Sequence, residues 1–300
     1  MEDLHETGNK RQTPFIYYLG LLLTTAIWAS TFINIKIVLQ QVPPNTLAFL
    51  RFLVASLVLG SLLIISRQPA LKREDLPTAA LCGLTGITLY NFLQNQGLKF
   101  AGAIDASILA AMAPVFIALI AGLVLKERIT YLQATGILLA FAGSVLVATN
   151  GSLSGLSFTS KRLAGDTLIL LTGVSWAVYS ISVKRLLQKY KATVVLAYST
   201  FAGTLFLFPL SLFEYPVNLA AITLAGWLNI FYLGVLASCL AYLIWNIALS
   251  RVAAVTAGIF LYLIPVFTSV IAAVFLHEIP GICTAAGGLI VLVGTYLAGK

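Results

Sequence analysis

Charge is what this sequence has little of. Asp, Glu, Lys and Arg make up 9% of its 300 residues, where soluble globular chains carry about a quarter, so an ordinary water-soluble domain is excluded. The 18 Lys and Arg that set a net charge of +8 stand singly between apolar runs. They form no basic stripe or arm, which excludes nucleic acid as a partner. The 3 cysteines, Cys82, Cys239 and Cys283, lie inside apolar runs with no CxxC and no neighbouring histidine. Neither a zinc site nor a disulfide framework is supported, and they read as space-fillers in packed helices. No Walker A pattern is present, so ATP-driven pumping by this chain alone is excluded, and no cofactor is implied. The first fourteen residues place Glu2, Asp3 and Glu6 ahead of Lys10 and Arg11 and lack the basic start and short apolar core of a cleavable signal. The first apolar run is therefore expected to stay in the membrane.

What the chain has in excess is hydrophobicity, at 60% of residues with a mean hydropathy of +0.98. A helix crossing roughly 30 Å of hydrocarbon needs about 20 residues. Cutting at charges, Pro and Gly gives ten such spans: 15–36, 45–66, 77–97, 104–126, 131–149, 166–187, 193–213, 222–245, 255–276 and 281–298. A membrane barrel would alternate apolar and polar over short segments, which runs such as Ala134 to Thr149 do not. The expected fold is an all-α integral membrane protein with ten transmembrane helices. Counting Lys and Arg with the N-terminus inside puts thirteen on the cytoplasmic side and five outside, so a multi-pass protein of the cell (inner) membrane with both termini cytoplasmic is expected. The linker 150–165 then falls outside and carries Asn150-Gly151-Ser152, a glycosylation pattern that arises readily by chance.

The chain also resembles itself. Ala113-Pro114-Val115-Phe116 recurs as Ile264-Pro265-Val266-Phe267 at an offset of 151, and Ala106 to Thr149 matches Ala257 to Lys300 at 14 of 44 positions. The same offset pairs Gly83 with Gly234, Asn95 with Asn246, Glu127 with Glu278, Gly136 with Gly287 and Gly143 with Gly294. Nearer the front the offset is 148, pairing Thr24 with Thr172, Trp28 with Trp176 and Lys36 with Lys184. Each copy holds five spans, an odd number, so the second must enter the membrane upside down. The organisation expected is a tail over 1–14, a first repeat over 15–149, the linker, and a second, inverted five-helix repeat over 166–300.

Ile27-Trp28-Ala29-Ser30-Thr31-Phe32 with Lys36, Phe49-Leu50-Arg51-Phe52, and Ala113-Pro114-Val115-Phe116 followed by Lys126-Glu127-Arg128 resemble the EamA-type transporters of the drug/metabolite transporter superfamily. The resemblance spans nearly the whole chain. It implies a bundle of two inverted repeats that moves small metabolites, often outward, through a central cavity lined by helices one, three, four, six, eight and nine.

In lipid, polar side chains must face the protein interior or a wet cavity, so polar stripes at helical spacing mark a candidate pathway. Thr24, Trp28 and Thr31 share a face of the first span, and Thr172, Trp176 and Tyr179 repeat the pattern on the sixth. The third span offers Tyr90 with Gln94 and Asn91 with Asn95; the eighth offers Ser238, Tyr242 and Asn246, and Tyr262 follows on the ninth. Packing alone would also account for such aromatics, and buried amides are often only glue between helices. Pro114 and Pro265 lie near the centres of spans four and nine, where each would leave a carbonyl, of Ala110 or Leu261, open to substrate, water or a neighbouring helix. None of the 10 acidic residues falls at mid-span, Asp105 and Asp166 merely beginning spans. Lys36 and Arg51 read as mouth-lining or structural residues able to snorkel outward. The function expected is a secondary transporter, exporter or facilitator, for small organic metabolites such as amino acids or amphipathic drugs, working by alternating access. The alternative from another class is a membrane-embedded enzyme on lipid-linked substrates, which would need a clustered His, Asp or Glu constellation. The expected partners are the solute and the bilayer, and the sequence leaves monomer and homodimer open.

Overall fold

A computed structural model describes residues 15–97, 109–110, 112–149, 160–275 and 281–298. The N-terminal tail, Asp105, Glu278, the Asn150 pattern and most of the linker lie outside the described residues. Every element among the described residues is helical. In chain order they are α1 (Phe15–Val38), α2 (Pro44–Ser66), α3 (Arg73–Gly97), α4 (Ala113–Val124), α5 (Tyr131–Thr149), α6 (Ser160–Leu187), α7 (Ala192–Leu212) and α8 (Leu224–Leu249). Next, α9 runs through Ala254–Ile259, a 3₁₀ turn at Phe260–Tyr262 and Leu263–Phe275, and α10 spans Ile282–Ala298. Six of them, α2, α3 and α6 to α9, are long and apolar enough to cross a membrane. The other four hold shorter apolar stretches of 10–17 residues. Helix α6 starts at Ser160 rather than 166, which puts Asp166 in its second turn rather than at its start.

The bundle is inside-out relative to a water-soluble protein. Its outer face shows Leu57, Ile64, Leu123, Leu205 and Leu289 largely exposed, while Thr24, Thr25, Ser180, Thr200, Ser238 and Asn246 are fully buried. That polarity suits a hydrocarbon solvent, in which apolar side chains face out at no cost and polar ones must find partners within.

Glycines set the closest helix contacts. Helices α5 and α10 meet reciprocally: a Cβ on Gly143 would lie 2.7 Å from the Gly287 carbonyl oxygen, and one on Gly287 2.8 Å from that of Gly143. Gly136 and Gly294 oppose each other in the same way, at 2.6 and 2.7 Å. The register, 136 against 294 and 143 against 287, makes the two helices antiparallel. On the other side Gly83 of α3 sits on the α7 backbone at Gly203, and Gly234 of α8 on the α2 backbone at Arg51. Ser56 of α2 and Thr204 of α7 share a hydrogen bond of 2.9 Å.

Carboxylates borrowed from other elements cap two helix starts. Glu214, just beyond α7, accepts from the Asn45 and Thr46 amides and the Thr46 hydroxyl at 2.8–3.0 Å, in keeping with the partial positive charge of a helix N-terminus. At the opposite end of the bundle Glu127 accepts from the Ala254 and Val255 amides and from Lys184 Nζ at 2.8 Å; Lys184 also donates to the Val252 carbonyl. Nearby, Asp75 accepts from Lys189 and from the Tyr190 hydroxyl, and its hydrogen bond and charge raise the Lys189 pKa.

Two local breaks matter for the site. Helices α3 and α8 each carry a π-helical stretch, Leu84–Leu89 and Leu233–Leu240, which the residue pattern did not predict. The prolines also differ from expectation. Pro114 stands in the first turn of α4 rather than mid-helix, where its missing N–H costs nothing, and Pro265 follows the 3₁₀ turn of α9. There the Leu263 amide bonds back to the Phe260 carbonyl.

Candidate substrate site

Helices α1, α3, α6 and α8 converge on a knot of aromatic rings. Trp28 of α1 meets Trp176 of α6 edge to face, with ring centroids 5.2 Å apart and an interplanar angle of 87°. Tyr242 lies 5.4 Å from Trp28 and 5.6 Å from Trp176, Tyr179 5.0 Å and Tyr90 5.5 Å from Trp176. Trp245 completes the group at 5.4 Å from Trp28 and 5.8 Å from Trp176. These separations are those at which aromatic quadrupoles attract edge to face. The rings fill the centre: Trp176, Tyr179, Tyr242 and Trp245 are at most 5% exposed. A furrow of about 310 Å³ between α2 and α7, lined by Phe49, Ser56, Phe201, Thr204, Leu205 and Phe208, lies apart from them.

The π-helical stretches position the knot. A π turn bonds i to i+5 and re-aims neighbouring carbonyls, and such turns are frequent at functional sites. The Gly86 carbonyl in α3 accepts from the Tyr242 hydroxyl at 3.1 Å, and the Ala237 carbonyl in α8 accepts from Trp28 Nε1 at 3.2 Å. Thr85 likewise accepts from Ser175 at 2.7 Å. At Gly86 the Tyr179 ring lies directly on the backbone, where a Cβ would come within 2.5 Å of Tyr179 Cγ.

The polar residues divide into engaged and open groups. Thr24 donates to the Ala241 carbonyl at 3.3 Å, and Tyr179 donates to Asn246 Oδ1 at 3.2 Å. Thr31 and Asn91 are turned onto their own helices, bonding the Trp28 and Ile87 carbonyls. Gln94 stands one turn after Tyr90 on α3. Asn95 reaches the Pro44 carbonyl at 3.3 Å, at the entry of α2, so of the expected amides Asn246 is central and Asn95 is not. Tyr262, Pro114 and Pro265 make no ring contact with the knot among the described residues; the Tyr262 hydroxyl is buried without a partner. Within the knot Trp176 Nε1, Trp245 Nε1 and Asn246 Nδ2 are also buried without a hydrogen-bond partner among the described residues.

Two residues change the reading of the site. Trp245, which the residue pattern did not single out, is central; its spacing of three from Tyr242 was the available signal. Arg51, expected to snorkel outward, is buried at 8% exposure. Its Nε donates to Ser238 Oγ of α8 at 2.9 Å, and its Cζ stands 5.0 Å from the Phe52 ring centroid. The side chain turns inward because Gly234 lets α8 approach the α2 backbone at this level and brings Ser238 within reach.

The pattern of EamA-like transporters matches residues 15–149 and again 163–299. The chain belongs to the EamA-like transporter family. An uncharacterized transporter of Archaeoglobus fulgidus is 38% identical over 284 residues, covering 93% of this chain and 96% of that protein. A probable terminal-alkyne amino-acid exporter of Streptantibioticus cattleyicolor is 34% identical over 285 residues, covering 94% and 92%. A solved crystal structure superposes with a TM-score of 0.78 at 22% identity, covering 94% of this chain and 95% of its own; at that identity it supports the fold alone. This EamA-like chain is thus a multi-pass membrane transporter, and its relatives are named for transport rather than for catalysis.

Proposed function

We propose that this EamA-like protein is a secondary transporter that exports or equilibrates small organic metabolites, with apolar amino acids or amphipathic drugs as the solutes, through the ring knot. The carrying observation is that Trp28 and Trp176, equivalent by the 148-residue offset, meet at 5.2 Å beside buried donors that have no partner among the described residues. Polar groups at the centre of a membrane bundle are costly unless paired, so open ones mark a ligand or a water path. The ten-span, inverted-repeat architecture with both termini cytoplasmic is part of this reading. Reciprocal Gly136–Gly294 and Gly143–Gly287 contacts support it, because a pseudo-two-fold that exchanges 136 with 287 and 143 with 294 turns each contact into the other. Ser56 and Thr204, again 148 apart and bonded to each other, support the same axis. Residues on such an axis can face either side as the halves rock. The rings close the centre in the conformation described here, and solute entry requires them to part. The amino-acid exporter among the relatives favours amino acids as the first solutes to try.

The test is counterflow into proteoliposomes with a panel of labelled amino acids, nucleosides and cationic drugs, in the wild type and in Trp28→Ala, Trp176→Ala and Asn246→Ala variants that remain monodisperse. Solute-specific counterflow, with affinity lost in the variants, is expected. Unchanged affinity in all three would return these residues to packing.

A further inference from the structure

Arg51 brings a positive charge about 10 Å into the bundle from the Pro44 end of α2, at a helical rise of about 1.5 Å per residue. It is more than nine-tenths buried. No acidic side chain pairs with it among the described residues, whose ion pairs are Lys72–Glu74, Lys184–Glu127 and Lys189–Asp75. Its one hydrogen bond among the described residues is to a neutral hydroxyl, Ser238 Oγ. A buried guanidinium left with a single neutral partner loses far more in desolvation than that bond returns. The rest of its planar fork of N–H donors is unspent.

The surroundings share this imbalance. Ser238, which holds Arg51, stands one helical turn before Tyr242 on α8, and the rings of Tyr242 and Tyr90 both pack on Trp176. The open groups of the knot, Trp176 Nε1, Trp245 Nε1 and Asn246 Nδ2, are all donors, and an indole N–H cannot act otherwise. Donors and a cation without acceptors or an anion describe half of a binding site. The missing half brings oxygen acceptors and one negative charge. A guanidinium matches a planar carboxylate in geometry as well as charge. The ring faces of Trp28, Trp176 and Tyr242 would cover an apolar body and attract an ammonium by cation–π contact.

We propose that Arg51 binds the carboxylate of the transported solute, so that the substrate class is small organic monocarboxylates, amino-acid zwitterions included. This rests on the reading of the ring knot as the transport site. Ser238 positions the guanidinium by holding Nε and leaves the outer edge of the fork for the ligand. With one guanidinium and no second cation in contact with the knot among the described residues, the site fits a single carboxylate rather than a phosphate or a dicarboxylate. Cationic amphiphiles lacking a carboxylate would meet repulsion from Arg51.

The experiment uses the full chain in lipid nanodiscs and reads tryptophan emission, which reports on the site because 3 of the 4 tryptophans, Trp28, Trp176 and Trp245, lie in it. The probes are leucine and phenylalanine, their amides, their deaminated acids and their decarboxylated amines. The acids, with or without the amino group, are expected to bind at least tenfold more tightly than the amides and amines. Arg51→Gln should lose at least tenfold for the acids and leave the amides unchanged, and Arg51→Lys should recover part of the loss. Should Arg51→Gln fail to fold, Ser238→Ala should weaken the acids severalfold and spare the amides. Amides bound as tightly as acids, no acid bound by the wild type, or acids bound equally by Arg51→Gln would each overturn the assignment. Proteoliposome uptake of the same solutes separates the two readings. Amides or amines carried equally by wild type and Arg51→Gln, with acids excluded, would overturn the role of Arg51 and leave a transporter. Movement of no solute would overturn the transport reading itself.

Discussion

Gly86→Ala tests whether the π turn of α3 sets the ring knot. The added Cβ would lie 2.5 Å from Cγ and 2.8 Å from Cε2 of Tyr179. Those atoms belong to the ring's base and edge, so spinning the side chain about its own axis gives no relief. Ordinary contact begins at 3.4 Å and Tyr179 Cδ2 is nearer still, so the ring must retreat by at least about 0.9 Å in an interior where overpacking costs about 1–3 kcal/mol. It has nowhere easy to go: Tyr179 is fully buried, 5.0 Å from Trp176 and 5.9 Å from Tyr242, with its hydroxyl on Asn246 at 3.2 Å. Losing that hydrogen bond adds about 1 kcal/mol. The expected destabilisation is therefore about 2–4 kcal/mol, with a shift in tryptophan emission, measured by denaturant titration of the purified protein in mild detergent. Gly60→Ala is the control, since its Cβ would meet nothing closer than Phe201 Cζ at 3.6 Å. In a Tyr179→Ala background the cost of Gly86→Ala should vanish, a coupling that a double-mutant cycle measures. A Gly86→Ala protein as stable as Gly60→Ala, with unchanged emission, would refute the claim that the ring rests on this backbone.

Three further outcomes are expected. Gly143→Ala should cost about 1–3 kcal/mol, because its Cβ meets backbone atoms, Gly287 O at 2.7 Å and Val291 N at 2.8 Å, and only separation of α5 from α10 relieves them; Gly122→Ala, with its nearest atom at 3.8 Å, should be neutral in the same titration. Glu127→Gln should cost about 2 kcal/mol, because it strips the ion pair from Lys184 and weakens the cap on α9; a stability equal to wild type would show the pair to be idle. In intact cells, with Cys283 replaced by Ser, Asn218→Cys should react with an impermeant thiol reagent and Lys72→Cys should be protected, and the reverse pattern would overturn the proposed orientation.

The all-helical membrane class was legible because hydrocarbon allows few solutions and the runs are long. Trp28, Trp176, Tyr179, Tyr242 and Asn246 could be placed together from helical spacing and self-similarity alone. What escaped was direction. A helical net says which residues share a face but not which neighbour that face meets, so Asn95 was expected centrally although it bonds Pro44 at the end of α2. Arg51 has the depth of a snorkelling residue, and only its partner Ser238, 187 positions away, shows that it points inward. The π turns left no periodicity to detect, because one extra residue in a turn shifts a helical face without altering composition. Trp245 sits in an apolar run, where only its spacing of three from Tyr242 sets it apart from a lipid-facing aromatic.

The repeat that makes the scaffold legible also shows where the chemistry departs from it. By the two offsets, Trp28 answers to Trp176, but Tyr179 answers to Thr31, Tyr242 to Asn91, Trp245 to Gln94 and Arg51 to Ser199. Backbone contacts follow the pairing: Gly83 lies on Ser199 O just as Gly234 lies on Arg51 O. The side chains at those two equivalent places are a buried hydroxyl without a partner and a buried cation. The proposed two-fold scaffold, combined with a one-sided charge, has a consequence for the proposed solute. Its apolar body can sit on the axis between the two tryptophans, equally near both faces of the membrane, while its carboxylate must lie off the axis toward α2. Rocking the halves would then change the path around the carboxylate more than the path around the body. Under the proposed assignment, discrimination between solutes should therefore reside in Arg51 and Ser238, and tolerance of different side chains in the rings.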